Sequence, residues 1–225
     1  MTIAVIIPAL NEAAEIATCI GGARAADEIV VVDGGSADET VAVAEAAGAR
    51  VIAETGGRGL QQNAGAAATE ADVLLFLHAD TRLPGGWADI VKDTLGDEAV
   101  ALGAFSLSIG DAGPAERLVA RGANLRSRLF HRPYGDQALF MRRKTFDTLG
   151  GFTPLPIMED LDLVERAALQ GRIVTRSEAV VTSARRWQRV GPLRTTAINQ
   201  AMLIGRALGL SPDRLAVLYR GARRP

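Results

Sequence analysis

Glu159, Asp160 and Asp162 place three carboxyl groups within four residues of the chain. Neighbouring carboxylates repel one another, and the repulsion can raise the pKa of one of them towards that of a useful general base. The same run opens a segment whose apolar spacing predicts a helix, and acids at a helix N-terminus compensate the helix dipole. The residues by themselves leave both interpretations open.

Another acid, Asp80, stands two residues after His78, at the end of the apolar run 73–77. On an extended segment both side chains would face the same side, where they could bind a hard divalent cation together with diphosphate oxygens. A single His-x-Asp pattern is equally compatible with a plain turn. The pattern therefore indicates a cation site without establishing one.

Asp33 ends a third apolar run and is followed by Gly34 and Gly35. Its carboxylate could accept a hydrogen bond from a base or a ribose, and the glycines would let the backbone approach a ligand closely. The alternative is a turn between strand and helix that the aspartate caps. No Gly-x-Gly-x-x-Gly pattern follows the first strand, which argues against a dinucleotide-binding fold.

Short β-branched runs alternate with alanine-rich segments through the first hundred residues. This pattern predicts strands at 3–8, 28–33, 50–53 and 73–77, with helices at roughly 12–24, 37–47 and 59–69. Such a rhythm implies a parallel sheet, in which ligands bind beyond the carboxyl ends of the strands. Ser36, three residues before Glu39, predicts a capping box at the start of the second helix.

After residue 100 the pattern changes. It predicts strands near 100–109 and 136–142, an arginine-rich segment at 115–130, and helices from about 143, from about 158, at 192–208 and at 212–220. The single cysteine, Cys19, is predicted to pack in the core, and a reducing compartment fits it. No leader opens the chain and no apolar stretch approaches the roughly 20 residues that span a bilayer, so we expect a soluble, cytoplasmic protein, or one attached to a membrane face.

Charge is distributed unevenly between the two halves of the chain. The formal net charge of −1 combines 5 basic and 17 acidic residues in 1–115 with 20 basic and 9 acidic residues in 116–225. A total near zero therefore says little about local fields. The total gives no support for nucleic-acid binding. The basic, partly apolar C-terminal helices are compatible with an anionic membrane face, with a homodimer interface, or with plain packing.

Taken together, the motifs resemble family 2 glycosyltransferases of bacteria, in particular a subgroup of small, single-domain members. The resemblance to the family covers roughly residues 1–190 and is carried by the segments 6–12, 31–36 and 77–80 and by 150–152 with 159–160. The resemblance to the subgroup is carried by 57–59, 62–65 and 134–137. It implies an α/β fold of the GT-A type, with a mostly parallel central sheet flanked by helices. Residues 1–225 would form one domain, in which 1–115 bind nucleotide and metal, 116–190 carry the acceptor side and the base, and 191–225 are C-terminal helices.

The resemblance also implies roles for individual residues. The proposed nucleotide-binding residues are Pro8, Ala9, Leu10, Glu12, Asp33, Arg58, Gln62, Asn63 and His78. Asp80, with His78, would hold Mn²⁺ or Mg²⁺ on the diphosphate. Asp160, beside Glu159, would deprotonate the acceptor hydroxyl. The acceptor or sugar contacts would be Asp136, Gln137, Arg186 and Trp187.

Two positions depart from the family pattern. His78 stands where the family usually has an acid, which weakens the expectation of a metal. Gln62 stands where an arginine is frequent, and Arg58 could supply the missing charge. Asp136 and Gln137 could instead only cap a loop, and Arg186 could be a surface arginine.

The activity implied by the resemblance is transfer of a sugar, as in a hexosyltransferase, from a nucleotide donor with inversion at the anomeric carbon. A UDP-sugar is the favoured donor, and the acceptor is an unidentified lipid-linked, glycan or small-molecule hydroxyl. The alternatives are a nucleotidyltransferase with a similar sheet and a non-catalytic module that binds sugar nucleotides. A nucleotidyltransferase would carry a glycine-rich, basic signature after the first strand, where this chain has 8–12, Pro-Ala-Leu-Asn-Glu.

Overall fold

Residues 1–185 and 191–222 are described by a computed structural model of the chain. Within them, eight strands form one sheet. The strands are β1 Ile3–Ala9, β2 Glu28–Asp33, β3 Arg50–Ala53, β4 Val73–Phe76, β5 Thr81–Arg82, β6 Val100–Ile109, β7 Phe140–Arg142 and β8 Arg172–Thr182. Their order across the sheet is β3-β2-β1-β4-β7-β6-β8-β5. Only β7 and β5 run antiparallel to their neighbours in this sheet, which confirms the prediction of a mostly parallel α/β sheet.

Helices flank this sheet. In the described part of the chain they are α1 Ile16–Gly22, α2 Thr40–Ala46, α3 Arg58–Ala67, α4 Trp87–Gly96, α5 Pro114–Phe130, α6 Arg143–Thr148, α7 Glu159–Ala168, α8 Pro192–Ala207 and α9 Pro212–Ala222. A 3₁₀ turn covers Gly135–Gln137. Among the helices described, none combines the length and the apolar character that crossing a membrane would require.

The central strand β1 contributes to two separate cores. Ile3, Val5 and Ile7 pack on the side of α1, α2 and α4, whereas Ala4 and Ile6 pack on the side of α3 and α7. A parallel strand covered on both faces is apolar at every position, which is why β1 is a continuous apolar run. Because β1 pairs in parallel with both β2 and β4, its carboxyl end lies between the carboxyl ends of those two strands.

One local prediction is wrong, and another placed a strand that is shorter than expected. The capping box does not form, because α2 begins at Thr40 and the Ser36 hydroxyl instead accepts a hydrogen bond from the backbone N–H of Asn11, at 2.9 Å. The expected strand near 136–142 is a 3₁₀ turn followed by the shorter β7. At Ser36 a partner from the first loop therefore replaces the expected local one.

Three elements were not predicted at all, and they are α4, β5 and β8. The strand β8 has an irregular burial pattern and pairs in parallel with β6 across two shifts of register. Its polar residues therefore do not alternate with apolar ones, and the period-2 signal of a strand is lost. Cys19, by contrast, is buried in the core as predicted, and burial raises the pKa of its thiol.

The contact between β6 and β7 gives a stability prediction. A Cβ atom on Gly103 would lie 2.1 Å from Cε2 of Phe140, whose ring is fully buried. We expect Gly103→Ala to lower the free energy of unfolding by about 1–3 kcal/mol, because the packed ring has to move. Urea unfolding measures this. Gly122→Ala on α5, where a Cβ would meet nothing within 4 Å, is the control and should raise stability by about 0.5–1 kcal/mol. An unchanged midpoint for Gly103→Ala would contradict this packing.

Candidate active site

The loops that follow β1 and β2 are joined to each other by hydrogen bonds. Asn11, in the left-handed region at φ 55°, accepts a bond from the Ala37 N–H on its Oδ1 at 2.8 Å. The N–H of Glu12 donates to the Thr40 hydroxyl at 2.8 Å. Left-handed backbone is tolerated by asparagine better than by most residues. These bonds make a rim of two loops at the carboxyl edge of the sheet, and Asn11 was not among the predicted site residues.

Asp33 is buried at this rim, and its carboxylate binds its own loop. Oδ2 accepts hydrogen bonds from the backbone N–H groups of Gly35 at 2.9 Å and Ser36 at 3.0 Å, while Oδ1 accepts only a longer one, 3.3 Å, from Ser36. The capped turn between strand and helix is therefore present. Recognition of a base by Asp33 stays a prediction, for which Oδ1 is the better placed oxygen.

The other predicted residues of the first loop differ in exposure. Pro8 and Ala9 end β1, and Leu10 is 54% exposed. The carboxylate of Glu12 binds Arg185, with an N–O distance of 2.5 Å, and Arg185 also lies 3.6 Å from Glu15. An ion pair thus links the first loop to the residues after β8.

The helix α3 is held tightly against β1 and β2. The buried side chain of Gln61 donates to the carbonyl oxygens of Val32 at 2.9 Å and Ala9 at 3.3 Å. A Cβ on Gly65 would lie 2.4 Å from Cγ2 of Ile6, so glycine allows this close approach. Sequence reasoning considered the run 57–65 but missed the role of Gln61.

Two predicted nucleotide contacts follow Gln61. The Gln62 side chain is buried, and its Oε1 makes no hydrogen bond with the residues described here. Asn63 is corrected by the structure, because Nδ2 donates to the Phe152 carbonyl and Oδ1 accepts from the Phe152 N–H, both at 2.8 Å. Both ends of the amide hold the turn at 150–152, so Asn63 positions that turn and is not available to a nucleotide.

The three acids of α7 have three different sets of partners. Oδ2 of Asp160 accepts from the Gly135 N–H at 2.7 Å, and Oδ1 accepts from the Leu161 N–H at 2.8 Å. Asp162 binds the Thr153 hydroxyl at 2.7 Å and Arg166 at 2.9 Å. Asp162 is therefore a structural residue, whereas Asp160 is fixed by backbone donors and lines a pocket.

Glu159 is buried, 4% exposed, and its Oε1 lies 2.9 Å from Nε of Arg58. Burial raises the pKa of Glu159, the charge of Arg58 opposes the rise, and Asp160 adds to it. A pKa raised by mutual repulsion was predicted for one acid of this run, but desolvation is the larger cause. Glu159 was expected to be catalytic together with Asp160, but its ion pair with Arg58 makes it a residue that holds Arg58 in place.

His78 and Asp80 do not lie on an extended segment. The chain turns there, with the Thr81 N–H donating to the His78 carbonyl at 3.0 Å. Nε2 of His78 lies 3.2 Å from Nη1 of Arg58, and because a guanidinium only donates, Nε2 is the acceptor and its lone pair is occupied. The expectation that both side chains face one side, with His78 as a metal ligand through Nε2, is therefore not met.

Asp80 makes long hydrogen bonds through one oxygen only. Oδ1 lies 3.3 Å from the Thr81 hydroxyl and 3.5 Å from that of Thr182, and Oδ2 has no hydrogen bond within the described chain. Within residues 1–185 and 191–222 no three His, Cys, Asp or Glu residues are grouped to hold a metal. A single carboxylate with a free oxygen fits a cation that is shared with substrate phosphates, as is common for Mg²⁺.

Of the two acceptor contacts predicted in the turn at 135–137, one lines the pocket and the other does not. Asp136 lines the pocket, but Gln137 is fully buried, with Nε2 donating to the Phe105 carbonyl at 2.9 Å and Oε1 accepting from the Tyr134 N–H at 3.3 Å. Gln137 therefore holds the turn and does not face an acceptor. The remaining predicted acceptor contacts, Arg186 and Trp187, lie outside the described residues.

A pocket of about 120 Å³ adjoins the Asp160 carboxylate. Its walls come from six parts of the chain that are separated in sequence. They are Arg58, His78, Tyr134, Asp136, Ile157, Met158, Glu159, Asp160, Leu161, Asn199, Met202, Leu203 and Tyr219. Four of these belong to α8 and α9, and sequence reasoning assigned no site residue there. The sequence feature that could have indicated them is the apolar spacing of the two helices, and Met202, one of the apolar residues in that spacing, is buried.

Comparison with protein families places the chain in a class of sugar-transferring enzymes. The model of the family described as "Glycosyl transferase family 2" matches residues 4–153, and the chain belongs to this family. The family assignment argues against the nucleotidyltransferase alternative. A curated relative from Mycobacterium tuberculosis, a PGL/p-HBAD biosynthesis glycosyltransferase, is 30% identical over 222 residues, 88% of this chain and 81% of the relative.

Solved structures show the same fold. Staphylococcus aureus TarS 1-349 in complex with UDP-GlcNAc has a TM-score of 0.66 at 17% identity. The match covers 88% of this chain and 66% of the TarS chain. Glucosyl-3-phosphoglycerate synthase from Mycobacterium tuberculosis, in complex with Mn²⁺, UDP and phosphoglyceric acid, has a TM-score of 0.56 at 24% identity. The match covers 81% of this chain and 69% of the synthase chain. The chain spans about two thirds of the length of these structures. The prediction of a GT-A fold is confirmed.

Proposed function

We propose that the protein transfers a sugar from a nucleoside diphosphate, preferably a UDP-sugar, to a hydroxyl acceptor, with inversion at the anomeric carbon. The observation that carries the proposal is the carboxylate of Asp160, which two backbone N–H groups hold at the wall of a pocket. The pocket adjoins the carboxyl edge of the sheet, where parallel α/β sheets bind ligands. Two relatives of the same fold bind UDP or UDP-GlcNAc by their descriptions.

Asp160 would act as the general base. Each of its oxygens accepts one hydrogen bond from the backbone, and a carboxylate oxygen can accept more than one. A second lone pair therefore remains for the proton of an acceptor hydroxyl. That hydroxyl would attack the anomeric carbon from the face opposite the leaving diphosphate, so one displacement inverts the configuration. A positioned base typically contributes about 10²–10⁴-fold to the rate.

Arg58 would stabilise the leaving group. Its Nε is held by Glu159 and its Nη1 lies beside His78, so the guanidinium is fixed in direction before substrate arrives. A preorganised cation stabilises charge that develops in the transition state without reorganisation. In this proposal Glu159 positions Arg58 and touches no substrate, and His78 contacts the nucleotide.

A divalent cation fits beside Asp80. If Mn²⁺ or Mg²⁺ were bound there, it would neutralise the negative charge that develops on the leaving diphosphate. Oδ2 of Asp80, which has no hydrogen bond within the described residues, would hold the ion, and the remaining ligands would be phosphate oxygens and water. Residues 1–115 would accordingly bind nucleotide and cation, and residues 116–190 would carry the base.

Donor binding provides the test of this function. We expect purified protein to bind at least one of a panel of UDP-, GDP- and dTDP-sugars by calorimetry, with an affinity that Mn²⁺ raises. Asp80→Ala should lower the affinity measured in Mn²⁺ at least tenfold and change the affinity in EDTA little, because only the shared ion is lost. Asp89→Ala, an exposed acid of α4, serves as the control. If no donor binds, the proposed function is wrong, and if both variants bind alike, the assignment of Asp80 is wrong.

A further inference from the structure

A second cavity lies beside the pocket of Asp160. It is a groove of about 780 Å³ between α5, α7 and α8. Tyr134, Leu161 and Leu203 form walls of both cavities. The groove therefore adjoins the place where the proposed acceptor hydroxyl would be bound.

The groove is lined by both apolar and charged side chains. Its apolar walls are formed by Leu161, Leu203, Ala207 and Phe130, and Phe130 is 68% exposed. An exposed aromatic ring beside other apolar side chains is a surface whose contact with water is unfavourable. A hydrocarbon chain placed there would remove these side chains from water.

The cations of the groove favour an anionic surrounding. Arg132 and Arg206 share one carboxylate, Glu165, at 3.8 Å and 2.6 Å, and Arg126 lies 3.5 Å from the centroid of the Tyr134 ring. Among the described residues, three guanidinium groups and one carboxylate line the groove. The local charge is therefore positive in a protein whose formal net charge is −1.

The outer face of α5 continues this surface. Leu118, Leu125 and Leu129 are 69%, 60% and 61% exposed, and Arg121 and Arg128 are exposed beside them. Residues three and four apart lie on the same side of a helix, so leucines and arginines share one face here. Such a face is typical of helices that lie in the interface of an anionic bilayer.

We propose that the groove holds the hydrocarbon chain of a lipid acceptor whose hydroxyl reaches Asp160, while the outer face of α5 lies on the anionic bilayer that contains the lipid. The inference rests on the proposed function, because it takes Asp160 as the base that the hydroxyl must reach. It adds a class of acceptor to that function. The lipid chain would enter at Phe130 and end beside Tyr134.

Straight-chain primary alkanols test the groove. We expect calorimetry with the full chain to show a dissociation constant that falls about threefold for each added methylene from butanol to decanol, because each methylene is buried in the groove. An acceptor confined to the small pocket would gain nothing from the longer chains. A dissociation constant that stops falling after the first few carbons would therefore overturn the proposal.

Two pairs of variants localise the binding. Ala207→Glu places a carboxylate in the groove and should weaken decanol binding at least tenfold, whereas Ala201→Glu, exposed on the same helix outside the groove, should not change it. Phe130→Ser should weaken decanol binding by a similar factor, with Leu118→Ser on α5 as its control. Decanol binding that survives in both groove variants would overturn the proposal, and the second pair keeps this test if the first variant does not fold.

Vesicles and the donor separate the remaining outcomes. The chain should sediment with phosphatidylglycerol vesicles and not with phosphatidylcholine vesicles, and failure to bind phosphatidylglycerol would overturn the membrane contact. Binding of UDP is measured on the same protein. Alkanol binding without UDP binding would contradict the proposed donor and support the groove, whereas UDP binding without alkanol binding would contradict the groove alone.

Discussion

Asp160→Asn is expected to lower kcat for sugar transfer by about 10²–10⁴-fold while the dissociation constant of the donor changes less than about twofold. The amide cannot take the proton of the acceptor hydroxyl, and Asp160 is assigned no contact with the nucleotide. Steady-state kinetics with any acceptor that supports turnover gives kcat, and calorimetry gives donor affinity. Loss of kcat with donor binding retained is the pattern of a group that acts in the chemical step.

The same substitution has a smaller effect on stability that must be measured beside it. An amide has one acceptor oxygen, so either the Gly135 N–H or the Leu161 N–H loses its partner. This should cost about 1–3 kcal/mol in the free energy of unfolding. Asp147→Asn, an exposed acid of α6, is the matched control and should change neither quantity. Retained turnover in a folded Asp160→Asn protein would show that another group is the base.

Arg58→Met is expected to lower the free energy of unfolding by about 2–4 kcal/mol near neutral pH. The substitution leaves the Glu159 carboxylate buried without the cation that lies 2.9 Å away. The double variant Arg58→Met/Glu159→Gln should recover most of the loss, because removing both charges leaves no buried ion unpaired. Urea unfolding of the two single variants and the double variant gives the coupling energy.

The loss of stability in Arg58→Met should depend on pH, and the pKa of Glu159 gives the direction of that dependence. Burial raises that pKa in the folded protein, and Arg58→Met removes the charge that opposes the rise. Between the unfolded and the folded pKa the native state binds more protons, so stability falls as pH rises through this window. The deficit of Arg58→Met should therefore be largest near neutral pH and should shrink towards about pH 3, below the unfolded pKa, where Glu159 is protonated in both states.

The control for this experiment is an exposed ion pair. Arg172 and Asp97 pair on the surface, where their side chains are 62% and 50% exposed. Exposed pairs contribute about 0–1 kcal/mol, so Arg172→Met should change stability little at either pH. A deficit of Arg58→Met that is equal at both pH values would show that lost packing, and not a buried charge, is responsible.

Much of the first half could be predicted because its signals are local. The apolar runs of β1, β2 and β4 are continuous where both faces of the sheet are covered, and a polar residue such as Asp33 or His78 follows each run. Parallel strands bring their carboxyl ends to one edge. Position in the sequence was therefore enough to place these residues on one rim.

The second half was less predictable because its partners are distant. Gln137 and Asn63 carry amides that a ligand could use, yet each binds backbone 32 and 89 residues away, at Phe105 and Phe152. The composition of a motif does not say whether an amide faces a ligand or a neighbouring loop. That choice depends on where other elements end, which local pattern does not encode.

By itself, the sequence determined the mostly parallel sheet, the rim of loops and the family, because apolar period, glycine positions and motif order are properties of short segments. Only the tertiary structure decided which acid of α7 faces the pocket. Asp160 meets Gly135, Glu159 meets Arg58 and Asp162 meets Arg166. The three carboxyl groups differ little in sequence context. Their roles separate because hydrogen bonds and ion pairs act over a few ångströms, and only the packing of α3, α7 and the turn at 135–137 sets those distances.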